Sequence, residues 1–120
     1  MTNAAIAKMN LFLHGAAGFN IMQGDTRREP KILAGGELAK FDCVIANPPF
    51  SLEKWGSVEW SSDKFGRNIW GTPSDSCGDY AWIQHMIKSM GPGNSRMAVV
   101  MPQGILFRGN EEGNIRKKLV

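Results

Sequence analysis

Along this chain the apolar positions change period several times, and each change marks a predicted element. Ile6, Met9 and Leu13 fall at i, i+3 and i+7, the spacing of one helical face. Thr2 or Asn3 can cap this helix and Gly15 can end it, so the expectation is one packed helix. His14, at its end, reads as a capping or dipole-compensating residue. Phe19-Asn20-Ile21-Met22, between Gly18 and Gly24, predicts a short strand leading into Gly24-Asp25-Thr26. From Arg27 to Lys40, polar residues, Pro30 and Gly35-Gly36 interrupt any period, which predicts a loop with at most one helical turn. Phe41-Asp42-Cys43-Val44-Ile45-Ala46 is then a short apolar run with β-branched residues and no polar helical face. It predicts a strand buried on both sides, of the kind found inside parallel sheets.

Asn47-Pro48-Pro49-Phe50 stops that strand. Neither proline has an N–H, and the first restricts Asn47 to an extended backbone, so the chain leaves the sheet at a stiff place. That place is the carboxyl end of the strand, where open α/β sheets bind ligands. The turn offers an amide side chain, main-chain carbonyls and an aromatic ring, a set suited to a planar amide or amine. Residues 51–78 follow as a long loop with Trp55, Trp60 and Trp70 and mixed charges. Loops of this length in small domains either bind something or lack order. Two readings stay open: the tryptophans cover the end of the sheet, or Lys54, Lys64, Arg67 and some of the rings face nucleic acid.

Asp79 is the predicted cap of a helix in which Ile83, Met86, Ile87 and Met90 recur at i, i+3, i+4 and i+7 before Gly91-Pro92-Gly93. The stripe is core, and His85 lies off it as a surface or partly buried residue. Met97 to Met101 form a second apolar strand, stopped by Pro102. This strand–helix–strand order predicts a right-handed crossover between parallel strands. Asn110 can cap a last helix that begins Glu111-Glu112 and ends Arg116-Lys117-Lys118, an order the helix macrodipole favours and a solvated face explains. The predicted class is α/β.

Composition narrows the function only by exclusion. A chain of 120 residues with 42% hydrophobic residues makes one globular domain at most. The net charge of +3, from 14 basic and 11 acidic residues, neither requires nor opposes a polyanionic partner. Cys43, in the predicted core strand, and Cys77, in a polar loop, have no paired Cys or His spacing; a disulfide framework and a metal site are not expected, and both cysteines read as structural or incidental. Met1 to Asn10 lacks a basic start followed by an apolar stretch, and no 18-residue apolar run occurs, so the expected location is the cytoplasm, without a membrane span. Taken alone, Asp25 reads as a turn or cap residue.

The pattern FDCVIANPPFS resembles the catalytic motif of amino-group methyltransferases that use S-adenosyl-L-methionine. With MNLFLHG at 9–15, GDT at 24–26, DYAWIQHM at 79–86 and VVMPQGILFRG at 99–109, the chain is similar over essentially its whole length to the modification subunit of type I restriction-modification systems, which are adenine-N6 DNA methyltransferases. The resemblance implies a Rossmann-like fold with a mostly parallel sheet. It also implies methyl transfer from S-adenosyl-L-methionine to the N6 amine of adenine in double-stranded DNA, with specificity and restriction subunits as partners.

By the same resemblance Asn47, Pro48 and Phe50 are the catalytic residues. The Asn47 amide oxygen and the Pro48 carbonyl would accept hydrogen bonds from the target amine, whose lone pair is otherwise delocalised into the ring. Phe50 would give a face on which the flipped base stacks. Pro49, Asp79 and Tyr80 would border the target base, and Asp25 would contact the cofactor's adenine region. Members of the family carry a glycine-rich turn after an earlier strand, and Gly15-Ala16-Ala17-Gly18 is no substitute because it follows a helix. Residues 1–120 are therefore expected to be part of a methyltransferase catalytic domain, incomplete and inactive alone. The NPPF turn by itself also suits a guanine-N2 methyltransferase of RNA or a glutamine methyltransferase of proteins. A non-catalytic remnant acting through partner subunits is a further alternative.

Overall fold

The computed structural model describes residues 2–120. Helix α1 spans Asn3–Leu13, with the Thr2 hydroxyl accepting from the Ala5 N–H at 3.2 Å. The His14 N–H and Nδ1 both reach the Asn10 carbonyl, at 3.1 and 2.9 Å, so His14 does close the helix, ahead of Gly15 in the left-handed region. The expected packing is not there. Ile6, Met9, Phe12 and Leu13 are all exposed, and no residue of α1 is buried. The Cα radius of gyration, 15.1 Å, accordingly exceeds the roughly 14 Å of a compact chain of this length.

Residues 19–22, expected as a strand, run on without strand pairing. A period of two needs a neighbouring strand to accept its main-chain bonds, and among the described residues none pairs with this segment. The expected loop at 27–40 instead holds a small hairpin, β1 Leu33–Ala34 paired antiparallel with β2 Glu37–Leu38. Gly35-Gly36, at φ 59° and 84°, makes its two-residue turn, the conformation that matches strand twist and that glycine pairs supply.

Strand β3 (Cys43–Ala46) pairs in parallel with β4 (Arg96–Val99), Cys43 opposite Arg96 and Ala46 opposite Val99. Helix α3 (Asp79–Lys88) lies between them in the chain, giving the expected strand–helix–strand unit. Burial differs from expectation on β3. Val44 and Ala46 are half-buried, while Cys43 and Ile45 are exposed, and β4 alternates in the same way. One face of the pair packs on the helical layer and the other is open, so Cys43 is not a core residue.

The core has two centres. Tyr80, Ile83, Ile105 and Ile115 form one, joined by Met97, Val99 and Met101 from the sheet side and by Trp70. Ile105 comes from a short 3₁₀ turn, Gln103–Leu106, and Ile115 from helix α4, Asn110–Leu119. Glu112, in the first turn of α4, is buried rather than solvated. Trp55, Trp60 and Ala81 form the second centre, with the two indoles edge to face at 5.7 Å. Trp60 belongs to helix α2, Ser57–Ser61. The long loop is thus largely ordered around its own tryptophans.

Arg67 settles the two readings of that loop for its own side chain. It is 1% exposed, its guanidinium lies 4.6 Å from the Trp60 ring centroid, and it pairs with buried Asp63 at 2.7 Å. It also donates to the carbonyls of Thr26 and Arg27 at 2.6 and 2.8 Å. Arg67, Trp55 and Trp60 are therefore internal and face no nucleic acid; Lys54 and Lys64 are exposed. Burial opposes ionisation of Asp63, but the Arg67 bonds outweigh it and hold the carboxyl below its ordinary range. His85 is within 3.4 Å of the same guanidinium. Burial first, and the Arg67 cation next, push its pKa from 6.5 down to about 4.

Gly78, the residue before α3, touches the Trp55 ring so closely that an added Cβ would lie 2.6 Å from it. Trp55 is 1% exposed and has no room to move. Gly78→Ala is expected to destabilise the fold by about 1–3 kcal/mol, read as a lowered urea midpoint. The histidine gives a pH prediction. Between its unfolded pKa of 6.5 and about 4, the unfolded chain binds the extra proton, so stability falls as pH falls through this window. From pH 7 to 5 the His85 contribution is about 2 kcal/mol. His85→Gln should flatten that slope, as measured by urea unfolding at the two pH values.

Candidate active site at the end of strand β3

The last ladder bond of the parallel pair runs from the Val100 N–H to the Ala46 carbonyl at 3.0 Å. Asn47 leaves the sheet at the next residue. Its side chain is exposed, Pro48 is buried, Pro49 is exposed, and Phe50 is 39% exposed. A buried proline anchors the turn while Asn47 and Phe50 on either side of the proline pair stay exposed. Asn47 lines an open groove of about 440 Å³ with Ile45, Ala46, Ala98, Val99 and Val100. Its walls are apolar apart from that amide and the main chain, so a planar ligand with a polar edge fits it.

Ser51 ends the turn in the left-handed region, φ 52°, a conformation a residue with a Cβ keeps only when its surroundings impose it. The surroundings are explicit. Asp79 Oδ1 accepts from the Ser51 N–H at 2.7 Å. Asp79 Oδ2 accepts from Arg108 Nη1 at 2.6 Å and from the Cys77 thiol at 3.3 Å. Arg108 Nη2 reaches the Ser51 hydroxyl at 3.3 Å. Asp79 is 1% exposed, so this carboxylate binds the turn, the preceding loop and Arg108 from inside the protein. Arg108 also lies 3.5 Å from buried Glu112.

Asp79 is the first residue of α3, whose N-cap is Gly78; its side chain caps no helix because it is used on Ser51, Cys77 and Arg108. Tyr80, next to it, is 2% exposed and belongs to the core, with its hydroxyl donating to the Ile105 carbonyl at 2.9 Å. The structure thus links Asp79 to the NPPF turn directly and places Tyr80 behind it. Asp25 sits apart from that network, in a turn. Its Oδ1 accepts from the N–H groups of Arg27 and Arg28 at 3.0 and 3.3 Å, and its Oδ2 pairs with Arg28 Nη1 at 2.9 Å. Burial opposes its charge, and the Arg28 and Arg27 bonds prevail, holding the carboxyl below its usual range. Arg28 Nη2 also donates to the Lys54 carbonyl at 2.7 Å, which ties the Asp25 turn to the loop that follows Phe50.

Ser51, Cys77 and Arg108 complete the constellation, and sequence reasoning assigned none of them a role at this site. Ser51 and Arg108 are 57 positions apart, and no spacing rule brings them together; the adjacency of Ser51 to Phe50 was the available signal. No group of three or more His, Cys, Asp or Glu arranged for a metal occurs among the described residues. Among them also no helix is long and apolar enough to cross a membrane.

With that geometry in view, known proteins give a consistent answer. The chain is 34% identical over 125 residues to the type I restriction enzyme MjaVII methylase subunit of Methanocaldococcus jannaschii, covering 98% of this chain and 20% of the relative. It is 30% identical to the HindI methylase subunit of Haemophilus influenzae, over 99% of this chain and 26% of the relative. The crystal structure of the type I restriction-modification system methyltransferase subunit from Streptococcus thermophilus superposes with a TM-score of 0.84 at 34% identity, over 97% of this chain and 25% of that one. The architecture is that α/β methyltransferase fold, of which this chain spans about a fifth to a quarter of the length of the proteins it matches. The model of the N-6 DNA methylase family matches residues 1–120, and the chain belongs to that family.

Burial first raises the Cys77 pKa, and the adjacent Glu112 and Asp79 carboxylates favour the protonated thiol as well, bringing it to about 11. Arg108 Nη1, 2.8 Å from the Cys77 sulfur, opposes part of that rise, and Cys77 should react with iodoacetamide at pH 8 more slowly than an ordinary thiol. Exposed Cys43 is expected to be carboxamidomethylated well before it, as peptide mass spectrometry would record.

Proposed function

We propose that this chain provides the base-binding part of an adenine-N6 DNA methyltransferase of a type I restriction-modification enzyme, within a Rossmann-like, mostly parallel sheet. The observation that carries the reading is the exposed, groove-lining Asn47 close to exposed Phe50, at the carboxyl end of a parallel strand. The family match supports the same chemistry. Double-stranded DNA is the proposed substrate, specificity and restriction subunits are the proposed partners, and the cytoplasm is the proposed location.

A flipped adenine would stack on Phe50, which replaces part of the stacking lost from the duplex. Its exocyclic amine would donate to Asn47 Oδ1 and to the Pro48 carbonyl. A main-chain carbonyl held by a proline-locked turn needs no reorganisation to receive it. Each bond contributes about 1 kcal/mol net in the ground state. Their catalytic effect comes from strengthening as the nitrogen gains positive charge. Pro49 would border the base, and Tyr80 would support that border from the core. No general base is needed before attack, since the proton is lost from nitrogen after it has become positive.

S-adenosyl-L-methionine fits two features of the chain. The Asp25 carboxylate is partly exposed beside its Arg27 and Arg28 contacts, and it can accept from an adenine amine. The apolar groove beside Asn47 would take the sulfonium methyl against apolar walls. When bound, this cofactor supplies an electrophilic methyl carbon. The chain's own contribution is to hold the accepting nitrogen in line.

Asn47→Ala is expected to lower methyl transfer to unmethylated duplex DNA by about 10²–10³-fold with little effect on cofactor binding. Tritium transfer from labelled cofactor, measured in the active methylase assembly, checks it; wild-type activity in this variant would sink the assignment.

A further inference from the structure

We infer that Arg108, together with Asp79, is a positioning device for the Asn47–Phe50 turn, acting through Ser51 rather than on the substrate. The inference rests on the reading of that turn as an adenine clamp and goes beyond it. Prolines stiffen the turn's middle, but they cannot fix where its far end lies. That end is Ser51, whose φ of 52° needs an external restraint.

The restraint has two arms. The buried Asp79 carboxylate accepts from the Ser51 N–H at 2.7 Å, and Arg108 Nη2 lies 3.3 Å from the Ser51 hydroxyl. Arg108 Nη1 closes the triangle on Asp79 at 2.6 Å. Arg108 is held in turn by the ion pair with Glu112 at 3.5 Å. The Arg116 guanidinium donates to the Arg108 carbonyl at 2.8 Å and to the Ile105 carbonyl at 3.1 Å. The 3₁₀ turn and α4 are thereby connected to the position of Phe50. Asp79 has no solvent exposure to spare for a base, so its role is to hold the turn and not to touch the substrate.

The test compares variants in the active methylase assembly, by steady-state methyl transfer to duplex DNA. Arg108→Met is expected to lower kcat by about 10- to 100-fold while changing the cofactor KM less than about threefold, since displacement of a reacting group affects chemistry more than binding. Arg108→Lys keeps the charge without the fork and should recover part of the loss. Asp79→Asn keeps an acceptor for the Ser51 N–H but loses the charge that holds Arg108. Its kcat should fall in the same range, and the double variant Asp79→Asn/Arg108→Met should cost no more than the worse single one, because the two act as a unit.

Wild-type kcat in Arg108→Met, a loss confined to KM, or additive losses would each overturn the inference. Should Arg108→Met fail to fold, Arg108→Lys and Asp79→Asn carry the same comparison of kcat with KM. Asn47→Ala keeps the two readings apart. An inactive Asn47→Ala beside a fully active Arg108→Met removes the positioning role alone, whereas an active Asn47→Ala removes the clamp itself.

Discussion

The buried Asp79 carboxylate is the constraint on which the arrangement around the NPPF turn depends. A charge enclosed this deeply is tolerated only when its lone pairs are met, and here they are met by the Ser51 N–H, the Arg108 guanidinium and the Cys77 thiol. Each partner comes from a different segment: the end of the strand-exit turn, the link before α4, and the loop before α3. One carboxylate therefore fixes three loops relative to one helix. Removing its charge would leave Arg108 with the more distant Glu112 as its carboxylate partner, so these groups stand or fall as a set.

A buried cation, Arg67, does similar work at the other end of the loop. Arg67 stacks on Trp60, pairs with Asp63 and donates to the carbonyls of Thr26 and Arg27. It thereby locks the Asp25 turn against residues 60–67. The two networks approach each other through Arg28, which pairs with Asp25 and reaches the Lys54 carbonyl. The groups proposed to meet the cofactor and the base are thus joined through polar bonds.

Much of this was readable from the residues in local terms. Helical spacing located α1 and α3, Pro48 located the end of β3, and the strand–helix–strand order gave the parallel pair. What failed was long-range. Residues 19–22 have a strand's composition but no neighbour to pair with. Cys43 and Ile45 look like core positions yet face outward, because composition does not say whether a second layer covers them. The Gly35-Gly36 turn was a hairpin signal read only as a break. At the site, Asn47 and Phe50 were legible because their chemistry sits in four consecutive residues. Ser51, Cys77 and Arg108 were not, because a charge network spread over 57 positions leaves no periodic trace.

The alternation on β3 has one more consequence. Cys43 and Ile45 are as apolar as Val44 and Ala46, so hydrophobicity scarcely distinguishes the observed alignment with β4 from one shifted by a residue. The alignment must be set from the ends of the strand. At one end Phe41 exchanges main-chain bonds with Ser89 and Gly91, both at 2.9 Å, and the Asp42 carbonyl accepts from Arg96 at 2.8 Å. At the other stand the prolines and the tethered Ser51. A slip would carry Asn47 about 3.3 Å along the sheet edge and turn its amide to the opposite face. The bonds at Phe41, at the far end of the strand from any chemistry, therefore act as the zero mark from which the position of the amide is measured.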